Sequence, residues 1–178
     1  MNPTMQFLIS LPPTSASLFA EMTGRRPPEW FATADPAGRR VGSGGGTAHT
    51  LVEAWRATGS GMTLEDWLRA SRKLVLHGGG HSRRLPAYAP VGKPLIPIPV
   101  QRGSYGQRLD QTLLDLQLPY YRKVLESAPG GTVAMVASGD VLIRLGSGLP
   151  AMDPADVILI GMRVPAETAC HFGVFFSP

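Results

Sequence analysis

Three glycines, Gly78, Gly79 and Gly80, follow the apolar run Leu74-Val75-Leu76-His77 directly. They lead into His81-Ser82-Arg83-Arg84-Leu85-Pro86, and then into Lys93-Pro94-Leu95-Ile96-Pro97. A glycine loop after a buried strand lets backbone N–H groups come close to a polyphosphate. Arg83 adds a forked donor that is always charged, and Lys93 a mobile point charge. A bare glycine triplet beside solvated arginines would be an ordinary turn. The added spacing of Arg, Pro and Lys favours an anion site. A second candidate is Asp140, in Ser138-Gly139-Asp140-Val141. It follows a predicted strand, at the strand end where α/β sheets bind ligands. A turn-forming aspartate that caps the next element fits the residues equally well. The third is Gly42-Ser43-Gly44-Gly45-Gly46-Thr47, ahead of a predicted helix. It is either a second anion-binding loop at a helix N-terminus or a flexible surface linker. It lacks the Gly-Lys-Ser/Thr ending of a P-loop.

Other chemistries find less support. His77, His81 and His171 show no metal-binding spacing, and His77 reads as a packed or hydrogen-bonded strand end. No Ser/His/Asp or Cys/His nucleophile stands out. Trp30, Trp55 and Trp67 read as core. Arginine supplies 14 of the 17 basic residues, and the net charge is +4. The basic residues are scattered, without the dense stripe and interleaved aromatics of a nucleic-acid binder. No apolar run approaches the 18 residues of a membrane span. Cys170 is the only cysteine, so there is no disulfide framework and no cysteine zinc site. It reads as a small buried hydrophobe. Met1 to Leu11 has no basic n-region and does not read as a signal peptide, so the cytoplasm is the expected location.

These residues need strands and helices to hold them. With 178 residues the chain is one domain's worth, and its 21 glycines and 17 prolines suit a loop-rich α/β protein better than a helical bundle. Ser15 to Thr23 is a possible short helix between Pro12-Pro13 and Pro27-Pro28. Glycines 42 to 46 hold regular structure only at high entropic cost, so the next helix is predicted from Thr47 to Arg56. Thr63 opens a helix with an acid at its third position. Leu109, Leu113, Leu116, Tyr120 and Val124 predict an amphipathic helix from about Gly106 to Ser127, interrupted or kinked at Pro119. Leu74 to His77, Thr132 to Ala137, Asp156 to Val164 and His171 to Phe176 are the strand candidates. Strand, loop, helix, strand in that order argues for a sheet with crossover connections. The chain stops at Pro178 straight after a strand-like run, as a fragment of a longer protein or a truncated gene product would.

The glycine segment resembles the signature of sugar-phosphate nucleotidyltransferases. Gly78, Gly79, Arg83, Pro86, Lys93, Leu95 and Pro97 match it without gaps. His81 departs from a third glycine, and Gly92 stands where many members have proline or serine. The wording HGGGHSRRLPAYAPVGK, with GSGGGT upstream and QLPYY, ASGDVLIR and HFGVFF downstream, is similar to one branch. That branch is the L-fucose-1-phosphate guanylyltransferase domain of bifunctional fucokinase/guanylyltransferase proteins. The resemblance spans about Trp30 to Phe176.

It implies a Rossmann-like, GT-A-like α/β fold: a mixed sheet with flanking helices, truncated at the C-terminus. Residues 1–70 would form an N-terminal helical and glycine-rich region, and residues 71–178 an incomplete nucleotide-binding core, one domain overall. The implied reaction moves GMP from GTP to L-fucose-1-phosphate, giving GDP-L-fucose and pyrophosphate. Arg83 and Lys93 would be the catalytic charges. Gly78, Gly79, Gly80, His81, Ser82 and Arg84, with Gly44, Gly45, Gly46 and Thr47, would bind nucleotide. Asp140 would hold Mg²⁺, with a further acidic ligand, the sugar pocket and a fused kinase domain beyond Pro178. GTP and the sugar-1-phosphate would be the partners, with no nucleic acid or membrane. The alternatives are a UTP- or CTP-dependent nucleotidyltransferase, or a catalytically incomplete nucleotide-binding fragment.

Overall fold

Met5–Ser10 forms the first strand, β1, and five of its six residues are buried. A strand without exposed alternate positions belongs to a sheet covered on both faces. The computed structural model describes residues 4–39, 41–79, 86–100, 110–143, 148–149 and 151–170. In chain order the elements are β1, α1 (Pro13–Thr23), β2 (Trp30–Thr33), α2 (Gly42–Thr58), α3 (Leu64–Ala70), β3 (Arg72–His77), α4 (Leu113–Ser127), β4 (Ala134–Ser138) and α5 (Ala166–Ala169). The sheet order is β2-β1-β3-β4, and each described pairing is parallel. This is the Rossmann-like α/β arrangement that the resemblance implied.

Successive strand residues point to opposite faces, and each face has its own core. Phe7 and Ile9 of β1 join Leu74 and Leu76 of β3, packed against Phe19 of α1 and Leu114, Tyr121 and Leu125 of α4. Leu8 and Val75 turn the other way, to Ala54 of α2 and Trp67 of α3. The chain therefore leaves β1 over one face to reach β2, then crosses back over the other face to β3. The reversal falls between β1 and β3, and such a switch point opens a crevice at the carboxyl ends of the strands.

Local chemistry sets the helix ends. Thr63 accepts from the Asp66 N–H to start α3. Thr112 and Asp115 form a reciprocal capping box at the start of α4. Gly24, with φ 71°, closes α1.

The structure corrects several expectations. α2 begins at Gly42, five residues before the predicted start at Thr47. Packing overrides the entropic cost of its glycines: Gly46 is buried, and a methyl there would lie 3.4 Å from His77 Cε1. β1 and β2 are strands that the sequence reading does not include; each is held by parallel pairing, β2 to β1 and β1 to β3. Asp156 to Val164 is not a strand. Val157 is 73% exposed and Met162 86%, and no described strand pairs with the segment. The buried face of α4 carries Leu114, Leu116, Gln117, Tyr121, Val124 and Leu125, so Leu116 and Val124 of the predicted stripe are buried while Leu113 and Tyr120 are only partly so. The helix runs through Pro119, where that buried face offsets the one lost hydrogen bond. Cys170 is exposed, not buried. Residues 1–70 and 71–178 share one sheet, since β1 pairs with β3. His171 to Phe176 lies outside the described residues.

Candidate functional site

The carboxyl ends of the four strands carry a row of polar residues. Thr33, Ser10, His77 and Ser138 stand in register across β2, β1, β3 and β4. The ladder continues one residue further: the Gly78 N–H donates to Ser10 O at 2.7 Å, and the Gly139 N–H to His77 O at 2.8 Å. Gly78 and Gly139 thus lie side by side just past β3 and β4.

Pro94 sits on these two glycines. A methyl on Gly78 would fall 2.7 Å from Pro94 Cγ and Cδ, and one on Gly139 would fall 2.5 Å from Pro94 Cγ. Such separations are inside van der Waals contact, so only hydrogen fits at either position. Gly92 makes the sharp approach with φ 88°, where a side chain would be strained and would also meet Leu11 and Pro12. The Lys93 N–H then donates to Gly78 O at 3.3 Å. Lys93 opens a short 3₁₀ turn, Lys93–Leu95, whose Pro94 and Leu95 are buried. Gly78, Gly92 and Gly139 are therefore packing glycines.

This packing delivers Lys93 to Asp140. Lys93 Nζ stands 2.5 Å from Asp140 Oδ2. The Ser138 hydroxyl donates to Asp140 Oδ1 at 2.5 Å. The Lys93 hydrogen bond, then that of Ser138, hold the Asp140 carboxyl below the usual carboxylate range, against the opposing effect of burial. Asp140 is thus an ionised carboxylate near neutral pH. From beneath, Tyr121 Oη reaches Ser138 O at 3.0 Å and Val141 O at 2.8 Å. Gln117 Nε2 also donates to Val141 O at 2.6 Å. Both side chains come from α4 and fix the turn that carries Asp140. Burial, with the Asp140 charge, pushes the Tyr121 hydroxyl up to about 12, so it remains a donor at any physiological pH. Sequence reasoning missed Tyr121 and Gln117. The predicted stripe of α4 includes neither, although the QLPYY wording contains both.

On the other side of the strand ends, His77 Nε2 lies 2.8 Å from Thr47 Oγ1. His77 is the junction, its carbonyl engaging Gly139 and its ring engaging α2. Gly44 opens onto space, while Gly45 packs against Val41, where a methyl would lie 2.9 Å from Val41 Cβ. A methyl on Gly79 would meet only Ser10 Oγ, at 3.8 Å, so Gly79 is open at the switch point. The structure therefore brings Gly78, Gly79, Lys93 and Asp140 together, and links them through His77 to Gly46 and Thr47. Gly80, His81, Ser82, Arg83 and Arg84 lie outside the described residues.

Two curated proteins show the same sequence pattern. This chain is 45% identical over 173 residues, 97% of its length, to a protein of Bacteroides fragilis named L-fucokinase/L-fucose-1-P guanylyltransferase. It is 29% identical, over 83% of its length, to an Arabidopsis thaliana protein named bifunctional fucokinase/GDP-fucose pyrophosphorylase. The match is to the bifunctional fucokinase/guanylyltransferase proteins. The resemblance read from the glycine motif thus extends along nearly the whole chain. The chain spans 18% and 15% of the lengths of these two relatives. No family model matches the chain, and no solved structure does. Among the described residues, no helix is long and apolar enough to cross a membrane.

Proposed function

We propose that this chain contributes the nucleotide-handling part of a sugar-1-phosphate nucleotidyltransferase that forms GDP-L-fucose from GTP and L-fucose-1-phosphate. An oxygen of the sugar phosphate attacks the α-phosphorus of GTP. The bond from that phosphorus to the β-phosphate bridging oxygen breaks, and pyrophosphate leaves. The attacking oxygen is already ionised near neutral pH, so no general base is required. Positioning and charge neutralisation remain for the protein to supply. The observation that carries this reading is the meeting of Lys93 and Asp140 beside Gly78 and Gly79 at the strand ends.

Lys93 would turn from Asp140 to the triphosphate. The backbone N–H groups around Gly79, and Arg83 from the following segment, would share the phosphate charge. The free N–H groups of the first turn of α2, Gly44 among them, would offer a second set of donors.

Asp140 fits Mg²⁺ as one ligand. It is ionised and partly exposed, and Mg²⁺ is commonly held by one or two carboxylates together with substrate phosphates. Among the described residues no group of three or more metal-ligating side chains gathers, so the phosphates themselves would complete the coordination. The ion would supply charge neutralisation on the triphosphate. The names of the two relatives support guanylyl transfer to fucose-1-phosphate over the UTP and CTP alternatives.

The test is pyrophosphate release by this chain with L-fucose-1-phosphate and GTP, UTP or CTP in turn. Release with GTP, reduced about 10²-fold or more in Lys93→Ala and Arg83→Ala, supports the reading. Release with UTP or CTP alone favours the other base. Nucleotide binding without release favours an incomplete nucleotide-binding segment of a longer enzyme.

A further inference from the structure

His77 and Asp35 form an acceptor pair that the proposed reaction has not used. The Thr47 hydroxyl has one proton, and it donates that proton to Ser43 O at 2.9 Å. Its oxygen therefore accepts from His77, 2.8 Å away, which assigns the His77 proton to Nε2. Burial lowers the His77 pKa, against a smaller opposing effect of Asp35. The ring is thus neutral near pH 7, and Nδ1 carries a lone pair. Among the described residues nothing donates to that lone pair.

Gly46 shows where it faces. A methyl on Gly46 would lie 3.7 Å from His77 Nδ1 and 3.7 Å from Asp35 Oδ1. The two acceptors flank one small space, kept clear by the missing side chain. Asp35 is exposed, two residues past β2. His49 anchors its loop, with Nε2 3.1 Å from Ala34 O. The space adjoins the switch point between β1 and β3. Asp140 lies one strand over, past the end of β4, with the Lys93 ammonium against it, and neighbouring strands are about 4.8 Å apart. A nucleotide with its phosphates at Lys93 would reach the space with its nucleoside half.

We infer that Asp35 Oδ1 and His77 Nδ1 read hydrogen-bond donors on the nucleoside half of the bound nucleotide, namely the exocyclic amine of guanine or the ribose 2′-hydroxyl. The inference rests on the nucleotidyltransferase reading and names the specificity-determining residues of that same site. A carboxylate beside a neutral imidazole nitrogen rejects a ligand that lacks the donor, because the acceptors are then desolvated without a partner.

The experiment titrates GTP, 2′-deoxyGTP and ITP, which lacks the exocyclic amine, into this chain and into Asp35→Asn and Gly46→Ala. A thermal melt of each variant confirms folding. The expected result is a loss of about tenfold in GTP affinity in Asp35→Asn, with one analogue unaffected. An unaffected ITP assigns the amine, and an unaffected 2′-deoxyGTP assigns the hydroxyl. Gly46→Ala, which fills the space, should weaken GTP in the same way. Unchanged GTP affinity in both folded variants, or equal weakening of all three nucleotides, would overturn the inference. Selective binding without pyrophosphate release would overturn the nucleotidyltransferase reading alone. A wild-type chain that binds no nucleotide would overturn both.

Discussion

The Lys93 ammonium and the Asp140 carboxylate stand 2.5 Å apart, although 47 residues separate them. The contact exists because Pro94 rests on Gly78 and Gly139, so the turn that carries Lys93 and the turn that carries Asp140 share one support. Both partners are part-exposed, and an ion pair of this kind contributes about 0–1 kcal/mol to stability. Its weakness leaves Lys93 able to leave Asp140 for a phosphate.

Asp140→Asn is expected to leave folding largely intact and to raise the Mg²⁺ needed for pyrophosphate release. Lys93→Ala removes the largest influence that holds the Asp140 pKa down, so that pKa should rise toward the ordinary carboxylate value. Both are checked by NMR titration of Asp140 and by Mg²⁺ dependence of the assay. An unchanged Mg²⁺ requirement in folded Asp140→Asn removes the carboxylate from the metal's ligands.

Gly139→Ala and Gly78→Ala should each lower stability by about 1–3 kcal/mol, since the added methyl enters the space of Pro94. Gly131→Ala, where nothing lies within 4 Å, is the control and should melt as the wild type does. Chemical denaturation compares the three. If Gly139→Ala proved as stable as the control, Pro94 would not be seated as described.

Asp115 should make stability depend on acid. Burial alone would raise its pKa. The Thr112 N–H, the Arg25 guanidinium and the Thr112 hydroxyl outweigh burial and hold it low. A depressed folded pKa stabilises the fold above the unfolded value near 4, and that contribution is lost as pH falls through the folded value. Asp115→Ala should cost about 0.5–2 kcal/mol at pH 7, the range for a lost helix cap, and show a shallower decline between pH 5 and 3. Melting curves across that range, for both proteins, give the answer.

Lys73 should act in the opposite range. It is fully buried, its ammonium 4.2 Å from the Trp67 ring centroid and donating to Trp67 O and Ser71 O. Burial lowers its pKa from 10.5 to about 8. Between these values the unfolded chain binds the extra proton, so Lys73 adds stability as pH rises from about 8 to 10.5. Lys73→Met should abolish that rise in a pH series of denaturant midpoints, even if its stability at pH 7 also changes.

Short-range patterns determined much of this protein. The glycine motif with Lys93, the strand Arg72–His77, the strand after Gly131, the Thr63 cap and the amphipathic character of Leu113–Ser127 all follow from spacings within a few residues. Periodicity and capping act over that range, so they are written in the chain. β1 and β2 are absent from the sequence reading, and parallel pairing with neighbours 20 to 70 residues away holds them. The helical state of Gly42–Gly46 was likewise decided by the sheet, which buries Gly46 beside His77 against the local cost of glycine. Val157–Met162 shows the converse: an apolar run reads as a strand, yet it pairs with no described strand and most of it stays exposed. Which of Tyr120 and Tyr121 faces inward depended on how α4 lies on the sheet. Strand order, with Pro94 seated on Gly78 and Gly139, placed Asp140 beside Lys93, and His77 between them and α2. No spacing in the sequence measures that separation, because two residues 47 apart meet only when the strands beneath them do.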